Sequence, residues 1–379
     1  MFCAETCPMK PFIPFLFLFT YSCAQHENSA NNKPDQLDDG IQTSTLTDAG
    51  MNEILIHAMQ DSITAGGYSN IHSLLILRNN KLVYEKYWPG HDENRGTGFA
   101  GLIDHHRDSL HDIRSITKSI TGAAVMIALE QGKIKNLDQR LFDFFPEFSK
   151  YAEGGKKDIT IRHLLTMTSG LNWLEEQSYN DSLKKHDVSY ALDFILRQPI
   201  VEEPGSKFSY NSGSTQLLAQ VVEKATGMDI EAFTVKHLFE PLSIKYFEWT
   251  KEKNGLISAW AGLRMRSRDL LKFGMLYLNG GKWHDKQILS NRLVEESMRT
   301  HIFSEEPYGY GYQFWTLVDS VQDQPVNTIE ASGNGGQKIE INRSKNLVLV
   351  ITAGNYDTYN FRKSPYDVYL DFVYPAVIE

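Results

Sequence analysis

The chain has 379 residues, of which 41% are hydrophobic, and this is enough material for a large buried core in one to three domains. Its 38 basic and 47 acidic residues give a formal net charge of −9, without any block of basic residues. This balance argues against a nucleic-acid-binding protein and favours a small substrate that is uncharged or cationic.

The N-terminal segment is typical of a targeting signal. Lys10 precedes an apolar run, Phe12–Tyr21, that is too short to span a bilayer. Ser22 and Cys23 follow this run, and the segment is similar to a bacterial lipoprotein signal with Cys23 as the lipidated first mature residue. Thr20 stands where such signals usually carry Leu, so plain secretion and an uncleaved segment stay open as alternatives.

The interpretation divides the chain into a signal at 1–23, a polar flexible tether at 24–47 and one folded domain at 48–379. All three cysteines lie within the first 23 residues, so the domain contains no disulfide of its own. We expect the protein in the bacterial cell envelope, as a periplasmic enzyme or an outer-membrane lipoprotein, or otherwise secreted. Contact with a membrane is expected only through the lipid anchor.

Apolar periodicity predicts the first elements of the domain. Apolar residues recur at helical spacing over Met51–Ile63, which predicts an amphipathic helix. His72–Leu77 and Lys81–Trp88 are rich in strand-forming residues, and the Arg78-Asn79-Asn80 segment between them predicts a hairpin turn. The next long pattern, Ile116–Leu129, is a strongly apolar helix closed by a glycine.

The remainder predicts how the sheet is assembled. A mostly helical lobe is expected at about 130–245, and the runs Gln337–Asn342 and Leu347–Ala353 are typical of strands. Neither the early hairpin nor the late strands make a stable sheet alone, so we expect them to pair in one antiparallel sheet. The predicted fold class is therefore α+β, an antiparallel sheet flanked by helices with a helical lobe inserted, and a cleft between the two lobes.

The first candidate for chemistry is the Ser-x-x-Lys motif formed by Ser115 and Lys118 at the start of the apolar helix. A spacing of three places both side chains on one helical face. A lysine there can activate the serine hydroxyl as a nucleophile, and the helix N-terminus offers backbone donors to an oxyanion. Alone the motif is weak, because Ser115 is equally suited to be a helix N-cap.

Two further elements strengthen this motif. Tyr210, in a loop of small residues, can act as general base or acid toward Ser115, although packing is the commoner fate of a tyrosine. The segment 331–337 carries three glycines at a strand edge, which allow close backbone approach to a ligand. Asn334 would then supply the second oxyanion-hole N–H beside that of Ser115, and the alternative is a hairpin loop without a ligand.

With these elements in this order, the sequence resembles the class C β-lactamase-related serine hydrolases. That family includes β-lactamases, D-alanyl-D-alanine peptidases, esterases and 6-aminohexanoate-dimer hydrolases. The resemblance covers roughly 72–353 and includes the longer family-like stretches 159–170 and 266–274. It implies the two-lobed β-lactamase/transpeptidase-like fold, no cofactor and no metal. It also implies that Ser115 is the acyl-accepting nucleophile, Lys118 its activating partner and Tyr210 the proton shuttle.

Two departures from the family motifs bear on the substrate. Ser212 replaces the amide of the usual Tyr-x-Asn motif, and Ala331-Ser332-Gly333 replaces Lys-Thr-Gly, which removes the cation that helps to bind carboxylates. Ser332, Gly333 and Ser212 stay candidates for substrate binding. Arg264 or Arg266 would be able to supply the missing charge.

Aromatic and imidazole side chains give weaker signals. Trp260 is predicted to line the substrate pocket and Trp173 is a second candidate, with buried packing as the alternative for both. His105, His106 and His111 precede the proposed nucleophile, but Lys118 already fills the role of base, so a Ser–His pairing is disfavoured. Sequence motifs of α/β-hydrolases, zincins and P-loop proteins are absent from the chain.

The expected function is therefore a serine hydrolase that forms an acyl-enzyme with a small ester, amide or peptide substrate. The two motif departures favour an esterase-like enzyme over a β-lactamase. A D-alanyl-D-alanine peptidase, or a penicillin-recognising enzyme, is one alternative. A non-catalytic relative that binds peptidoglycan is the other.

Overall fold

The computed structural model describes residues 33–94, 98–175, 188–251, 255–358 and 363–378. The predicted signal, Cys23 and the first part of the predicted tether lie outside the described residues. Lys33 to the C-terminus forms one compact unit. Among the described residues, no helix is both long and apolar enough to cross a membrane.

The described part of the chain contains sixteen strands. They are β1 (Gln42–Thr43), β2 (Ile71–Arg78), β3 (Lys81–Tyr87), β4 (Pro89–Asn94), β5 (Gly98–Asp104), β6 (His111–Asp112), β7 (Phe247–Trp249), β8 (Leu263–Met265), β9 (Lys282–Trp283), β10 (Lys286–Gln287), β11 (Ile302–Glu305), β12 (Tyr308–Tyr310), β13 (Trp315–Val321), β14 (Gln324–Gly333), β15 (Gln337–Asn342) and β16 (Leu347–Ala353).

Eight α-helices accompany them in the described residues. They are α1 (Glu53–Thr64), α2 (Ile116–Glu130), α3 (Ile161–Leu165), α4 (Val188–Arg197), α5 (Ser212–Thr226), α6 (Ile230–Thr234), α7 (Ser267–Leu278) and α8 (Asn291–Met298). Short 3-10 turns lie at Leu141–Asp143, Pro146–Tyr151 and Gly154–Asp158. Single π-helical turns follow α6 at Val235–Phe239 and close the chain at Tyr369–Val373.

A nine-stranded sheet in the order β1-β3-β2-β16-β15-β14-β13-β12-β11 forms the centre of the fold. Strand β16 pairs antiparallel with β2, so the early hairpin and the late strands share one sheet, as predicted. The hairpin turn also follows the prediction, because Asn79 and Asn80 both have positive φ, 52° and 60°. The α+β prediction, with an antiparallel sheet flanked by helices, is confirmed, and β1 is a short parallel addition at one edge.

Helices cover both faces of this sheet, which explains why β2 and β16 are almost continuously apolar. Successive side chains of a strand point to opposite faces. Accordingly Leu75 and Leu77 of β2 pack in the core that contains α2 and α7, whereas Leu74 and Ile76 pack in the core that contains α1. Helix α2, which begins directly after Ser115, is therefore held inside the larger core, between the sheet and the helical lobe.

The predicted tether at 24–47 needs correction from Lys33 onward. Ile41 is fully buried, and β1 pairs with β3. Arg268, itself buried, donates to Asp39 at 2.8 Å and to the Asp35 carbonyl at 2.9 Å. The polar composition of the segment concealed these anchoring contacts, and residues 33–47 form an arm that is packed on the domain.

Candidate active site

The proposed nucleophile lies at the N-terminus of the buried helix α2. Ser115 is the residue before the helix, and its side chain makes no capping hydrogen bond, so the N-cap alternative does not account for it. Arg114, just before it, has a φ of +48°, a left-handed conformation that is strained for a residue with a side chain. This bend turns the chain from β6 into α2 and presents Ser115 at the turn.

Lys118 lies one helical turn further on and is only 2% exposed. Its Nζ donates to the Ser115 Oγ at 3.1 Å and to the backbone carbonyl of Trp260 at 3.0 Å. These two bonds hold the buried amine directly against the serine hydroxyl. The predicted pairing of serine and lysine is thus present in the geometry.

The loop before β8 holds this pair from above. Its carbonyl groups accept from α2, since Thr121 Oγ1 donates to the Ala259 carbonyl at 2.7 Å. The Leu263 N–H in turn donates to Thr117 Oγ1 at 3.2 Å. These bonds fix the position of the Trp260 carbonyl beside Lys118 Nζ. Trp260 is buried and also lines the cleft, so both interpretations of this residue, packing and a place in the pocket wall, apply.

Tyr210 reaches the same place from the loop before α5. Lys118 Nζ lies 4.8 Å from the centre of the Tyr210 ring, and the Trp315 ring of β13 stacks on the Tyr210 ring with the two centres 6.0 Å apart. The next residue, Asn211, caps α5 by accepting from the Ser214 N–H at 2.9 Å. The phenol is therefore positioned beside the serine–lysine pair, as the motif predicted.

The glycine-rich segment after β14 closes the opposite side. A Cβ at Gly333 would lie 2.4 Å from the Ile113 carbonyl, so only glycine allows this strand end to approach the segment that precedes Ser115. Gly335 and Gly336 have φ of 92° and 94° and form the turn into β15. Asn334 sits in this turn, and its side chain donates to Asp357 at 3.2 Å.

A cleft of about 1070 Å³ opens in front of Ser115, and Lys118 is not among the residues that line it. Of the predicted site residues, Ser115, Tyr210, Ser212, Trp260, Ser332, Gly333 and Asn334 line it. Its described wall contains five acidic residues and two basic ones. The acidic residues are Glu93, Glu175, Glu305, Glu330 and Asp357, and the basic residues are Arg114 and Lys338. The described wall therefore carries an excess of negative charge.

Lys338 is a cation of the site that sequence reasoning missed. It lies directly across from Ser332 in the β14–β15 ladder and donates to the Ser332 hydroxyl at 2.9 Å. Its charge is paired with Glu330 at 2.6 Å. Burial alone would raise the pKa of Glu330, but the Lys338 charge holds this pKa below its usual range. Antiparallel register was the signal that would have revealed the pair.

Arg264 and Arg266, the two arginines that the sequence offered as the source of the missing positive charge, lie elsewhere. Arg264 donates to Glu248 at 2.6 Å, and Arg266 pairs with Asp269 at 2.8 Å. Neither arginine is among the residues that line the cleft. The expectation that one of them supplies the missing charge is therefore wrong, because local carboxylates already hold both guanidinium groups.

Glu175 is a second residue that the sequence did not single out. It accepts from the Ser212 hydroxyl, from the Ser212 N–H at 3.1 Å and from Trp173 Nε1 at 2.7 Å. Ser212 lines the cleft, but it is fully buried and its hydroxyl donates to Glu175. Trp173 packs over the start of α5, against Gly213, as its packing alternative states.

The histidines that precede the nucleophile are not partners of Ser115. His105 and His111 lie with His72 and Asp92 in a separate buried cluster whose nitrogen and oxygen atoms are within 4.8 Å of one another. Among the described residues, these four side chains are close enough together to hold a metal ion. The Ser115 hydroxyl instead accepts from Lys118 Nζ, and this Nζ also lies beside the Tyr210 ring.

Comparison with known proteins agrees with this arrangement. The family model described as Beta-lactamase matches residues 58–367. Esterase EstB of Burkholderia gladioli is 29% identical over 183 residues, which are 45% of each protein. The matched region covers 36% of Protein flp of Staphylococcus aureus, 55% of a D-alanyl-D-alanine carboxypeptidase-like protein of Escherichia coli and 45% of EstB. The chain therefore spans about a third to a half of the length of these curated relatives.

Solved structures share the fold at low sequence identity. A penicillin-binding protein homologue from Pyrococcus abyssi superposes with a TM-score of 0.65 at 20% identity, over 85% of this chain and 76% of that one. EstCE1, a hydrolase with promiscuous acyltransferase activity, superposes with a TM-score of 0.67 at 18% identity, over 88% of this chain and 100% of that one. At such identities the likeness concerns the fold.

Proposed function

Since the chain belongs to the Beta-lactamase family of hydrolases, we propose that it is a serine hydrolase that uses Ser115 as its nucleophile. The observation that carries this proposal is the 3.1 Å contact between the buried Lys118 Nζ and the Ser115 Oγ. The contact opens onto a cleft of about 1070 Å³, a volume that admits a small-molecule or peptide substrate.

The reaction proceeds in two acyl-transfer steps. Lys118, assisted by Tyr210, takes the hydroxyl proton of Ser115 while the Ser115 Oγ attacks the carbonyl carbon of the substrate. The oxyanion accepts from the backbone N–H groups of Ser115, at the N-terminus of α2, and of Asn334. Tyr210 returns a proton to the leaving group, and water then releases the acyl group from Ser115 by the reverse sequence.

The charge of the cleft supports an ester or amide substrate without a carboxylate. Five acidic residues and two basic ones line the described wall, and Lys338 is already paired with Glu330. A substrate carboxylate would be repelled by this wall and would have to compete with Glu330 for the cation. The likeness to Esterase EstB adds support for an esterase-like enzyme.

A penicillin-recognising or D-alanyl-D-alanine peptidase activity is the second candidate. It is favoured by the position of Lys338, whose Nζ is 2.9 Å from the Ser332 hydroxyl at the cleft wall. If Glu330 released this cation, the cation would be able to bind a substrate carboxylate. The third possibility, a relative that only binds peptidoglycan, has no use for an activated Ser115.

Intact-mass analysis distinguishes these candidates. The protein is incubated with a fluorophosphonate and, separately, with a penicillin, next to the variants Ser115→Ala and Ser304→Ala. Ser304 lines the same cleft, but its hydroxyl donates to the Tyr308 carbonyl at 3.0 Å, so its removal is the matched control. We expect a fluorophosphonate adduct that is lost only in Ser115→Ala. Adducts with both reagents would favour the penicillin-recognising enzyme, and no adduct would refute a catalytic Ser115.

We also propose, on the sequence of the N-terminal segment, that the protein is exported to the bacterial cell envelope with Cys23 lipidated. Metabolic labelling with a fatty acid, followed by mass analysis of the N-terminal peptide, tests this. Label on the wild type and none on Cys23→Ser is the expected result. An unlabelled protein in the culture medium would instead indicate plain secretion.

A further inference from the structure

A second cluster of chemically capable side chains lies outside the cleft. It consists of His72 on β2, Asp92 on β4, His105 just after β5 and His111 on β6. All four are at least nine-tenths buried, with exposures of 0%, 6%, 6% and 2%. Three imidazoles and a carboxylate are rarely buried together without a shared partner.

The surrounding bonds determine which nitrogen of His72 and of His111 carries its proton. His72 Nε2 faces the Asn70 Oδ1 at 3.2 Å. The Asn70 amide is itself oriented, because its Oδ1 accepts from the His91 N–H and its Nδ2 donates to the His91 carbonyl. His72 therefore donates from Nε2, and its Nδ1 carries the lone pair.

The same reasoning applies to His111. Its Nδ1 faces the Asp112 carbonyl at 3.2 Å, so Nδ1 is the donor and Nε2 carries the lone pair. These two lone pairs, on His72 Nδ1 and His111 Nε2, face each other at 2.8 Å. Two facing lone pairs repel unless a cation lies between them.

His105 supplies an independent observation. Its ring stacks on that of His72 at 4.0 Å, and its Nε2 is buried without a hydrogen-bond partner. The Asp92 Oδ2 lies 4.0 Å from this nitrogen, which is too far for a hydrogen bond. A buried ring nitrogen at such a distance from a carboxylate leaves room for an ion between them.

The distances suit a tetrahedral metal. With ligands at about 2.0–2.1 Å, neighbouring ligand atoms of a zinc site are about 3.3 Å apart. The separations here lie around this value, at 2.8 Å between His72 Nδ1 and His111 Nε2, 3.8 Å between His111 Nε2 and Asp92 Oδ1, and 4.0 Å between His105 Nε2 and Asp92 Oδ2. One ligand atom from each of the four residues lies within 4.8 Å of the other three, so small side-chain shifts bring them onto one ion.

We propose that His72, His105, His111 and Asp92 bind one divalent transition metal ion of the zinc class. Nitrogen-rich ligand sets of this kind suit Zn²⁺ and its neighbours in the first transition row. The second shell is already in place, since Asn70 and the Asp112 carbonyl orient two of the imidazoles, and the Tyr356 hydroxyl donates to Asp92 at 3.0 Å. This proposal replaces the expectation of a metal-free protein.

The site has a structural consequence for the cleft. The ion would join four chain segments, and His111 lies only four residues before Ser115. The β4–β5 hairpin that carries Asp92 also carries Glu93, which pairs with Arg114 at the cleft wall. Four protein ligands leave no open position, so the ion would fasten the hairpin to the segment that presents the nucleophile and would take no part in the reaction.

The test uses full-length mature protein without a polyhistidine tag. Metal content is measured by mass spectrometry of the elements, and the chelator-treated protein is then titrated with Co²⁺. We expect about one equivalent of bound metal and, with Co²⁺, visible absorption of a four-coordinate site that saturates at one equivalent. Zn²⁺ added to the chelator-treated wild type should raise its unfolding temperature by several degrees.

The variants are His105→Gln, with His91→Gln as the matched control, because His91 is exposed on the same hairpin. His105→Gln should lose the bound metal and the Co²⁺ absorption, and His91→Gln should keep both. If His105→Gln does not fold, the wild-type titration decides alone. A chelator-treated wild type with no Co²⁺ absorption and no Zn²⁺-dependent shift would overturn the proposal, as would a folded His105→Gln that binds metal as the wild type does.

Discussion

Replacing Lys118 by methionine separates catalysis from stability. Two lysines are fully buried among the described residues, Lys118 and Lys272. Lys118 Nζ donates to the Ser115 hydroxyl and the Trp260 carbonyl, whereas Lys272 Nζ donates to Asp269 at 3.0 Å and to the Ser243 carbonyl. Methionine has a similar length and no charge, so Lys118→Met and Lys272→Met form a matched pair.

The two variants should have opposite effects: Lys118→Met should lower the catalytic rate, and Lys272→Met should lower the free energy of unfolding. Lys118→Met removes the base, which is worth about 10²–10⁴ in rate, or roughly 3–5.5 kcal/mol of transition-state stabilisation. Its effect on folding is small: the Trp260 carbonyl loses a donor, at about 1–3 kcal/mol, but the desolvation cost of a buried cation disappears. Lys272→Met leaves the buried Asp269 with Arg266 as its remaining cation, so we expect a loss of about 2–3 kcal/mol of unfolding free energy.

The assay measures kcat/KM with a small activated ester and the free energy of unfolding in urea, for both variants and the wild type. We expect Lys118→Met to lose at least about a hundredfold in kcat/KM with a nearly unchanged urea midpoint. Lys272→Met should keep its kcat/KM while its midpoint falls. A folded Lys118→Met with more than about a tenth of the wild-type kcat/KM would refute the role of Lys118 as base.

Three further predictions follow from other contacts. Tyr210→Phe should lower kcat by about 10²-fold and leave the urea midpoint unchanged, because it removes the hydroxyl but keeps the ring that stacks on Trp315; full activity would exclude Tyr210 from proton transfer. Arg268→Met should cost about 3–5 kcal/mol of stability, since it leaves Glu85 and Asp39 without their shared cation, and adding Glu85→Gln should recover part of the loss in the same urea titration. Esters with a quaternary ammonium in the acyl or leaving group should show a higher kcat/KM than carboxylate analogues, and added salt should narrow the ratio; a preference for the carboxylate would revive the peptidase candidate.

Local sequence patterns were sufficient for the frame of the fold. The runs Gln337–Asn342 and Leu347–Ala353 match β15 and β16, and the helix predicted at Ile116–Leu129 ends one residue later in the structure. These elements have strong periodicity or continuous apolar character, which the core on both sheet faces requires. The contacts of the arm at 33–47 were not predictable, because they depend on one buried arginine far along the chain.

The contact between Ser115 and Lys118 was predictable for a different reason. Ser115 and Lys118 are neighbours on one helix, so their contact follows from helical geometry alone. Glu175 and Lys338 reach the site only through tertiary structure, and their residue types carry no signal in isolation. The cluster of His72 and His111 was missed on the same ground, since the two residues are 39 positions apart and meet only when β2 and β6 are in place.

In the proposed hydrolase, substrate preference would depend on this second kind of residue, which reaches the site only through tertiary structure. The hydroxyl, amine and phenol that would perform acyl transfer are supplied by motifs, but the charge that a substrate meets is set by side chains scattered between Glu93 and Asp357. Each of these carboxylates is unremarkable in its own segment, and the negative excess exists only where the segments converge. A family motif therefore predicts the reaction class from the sequence, whereas the choice between carboxylate-bearing and carboxylate-free substrates requires the folded cleft.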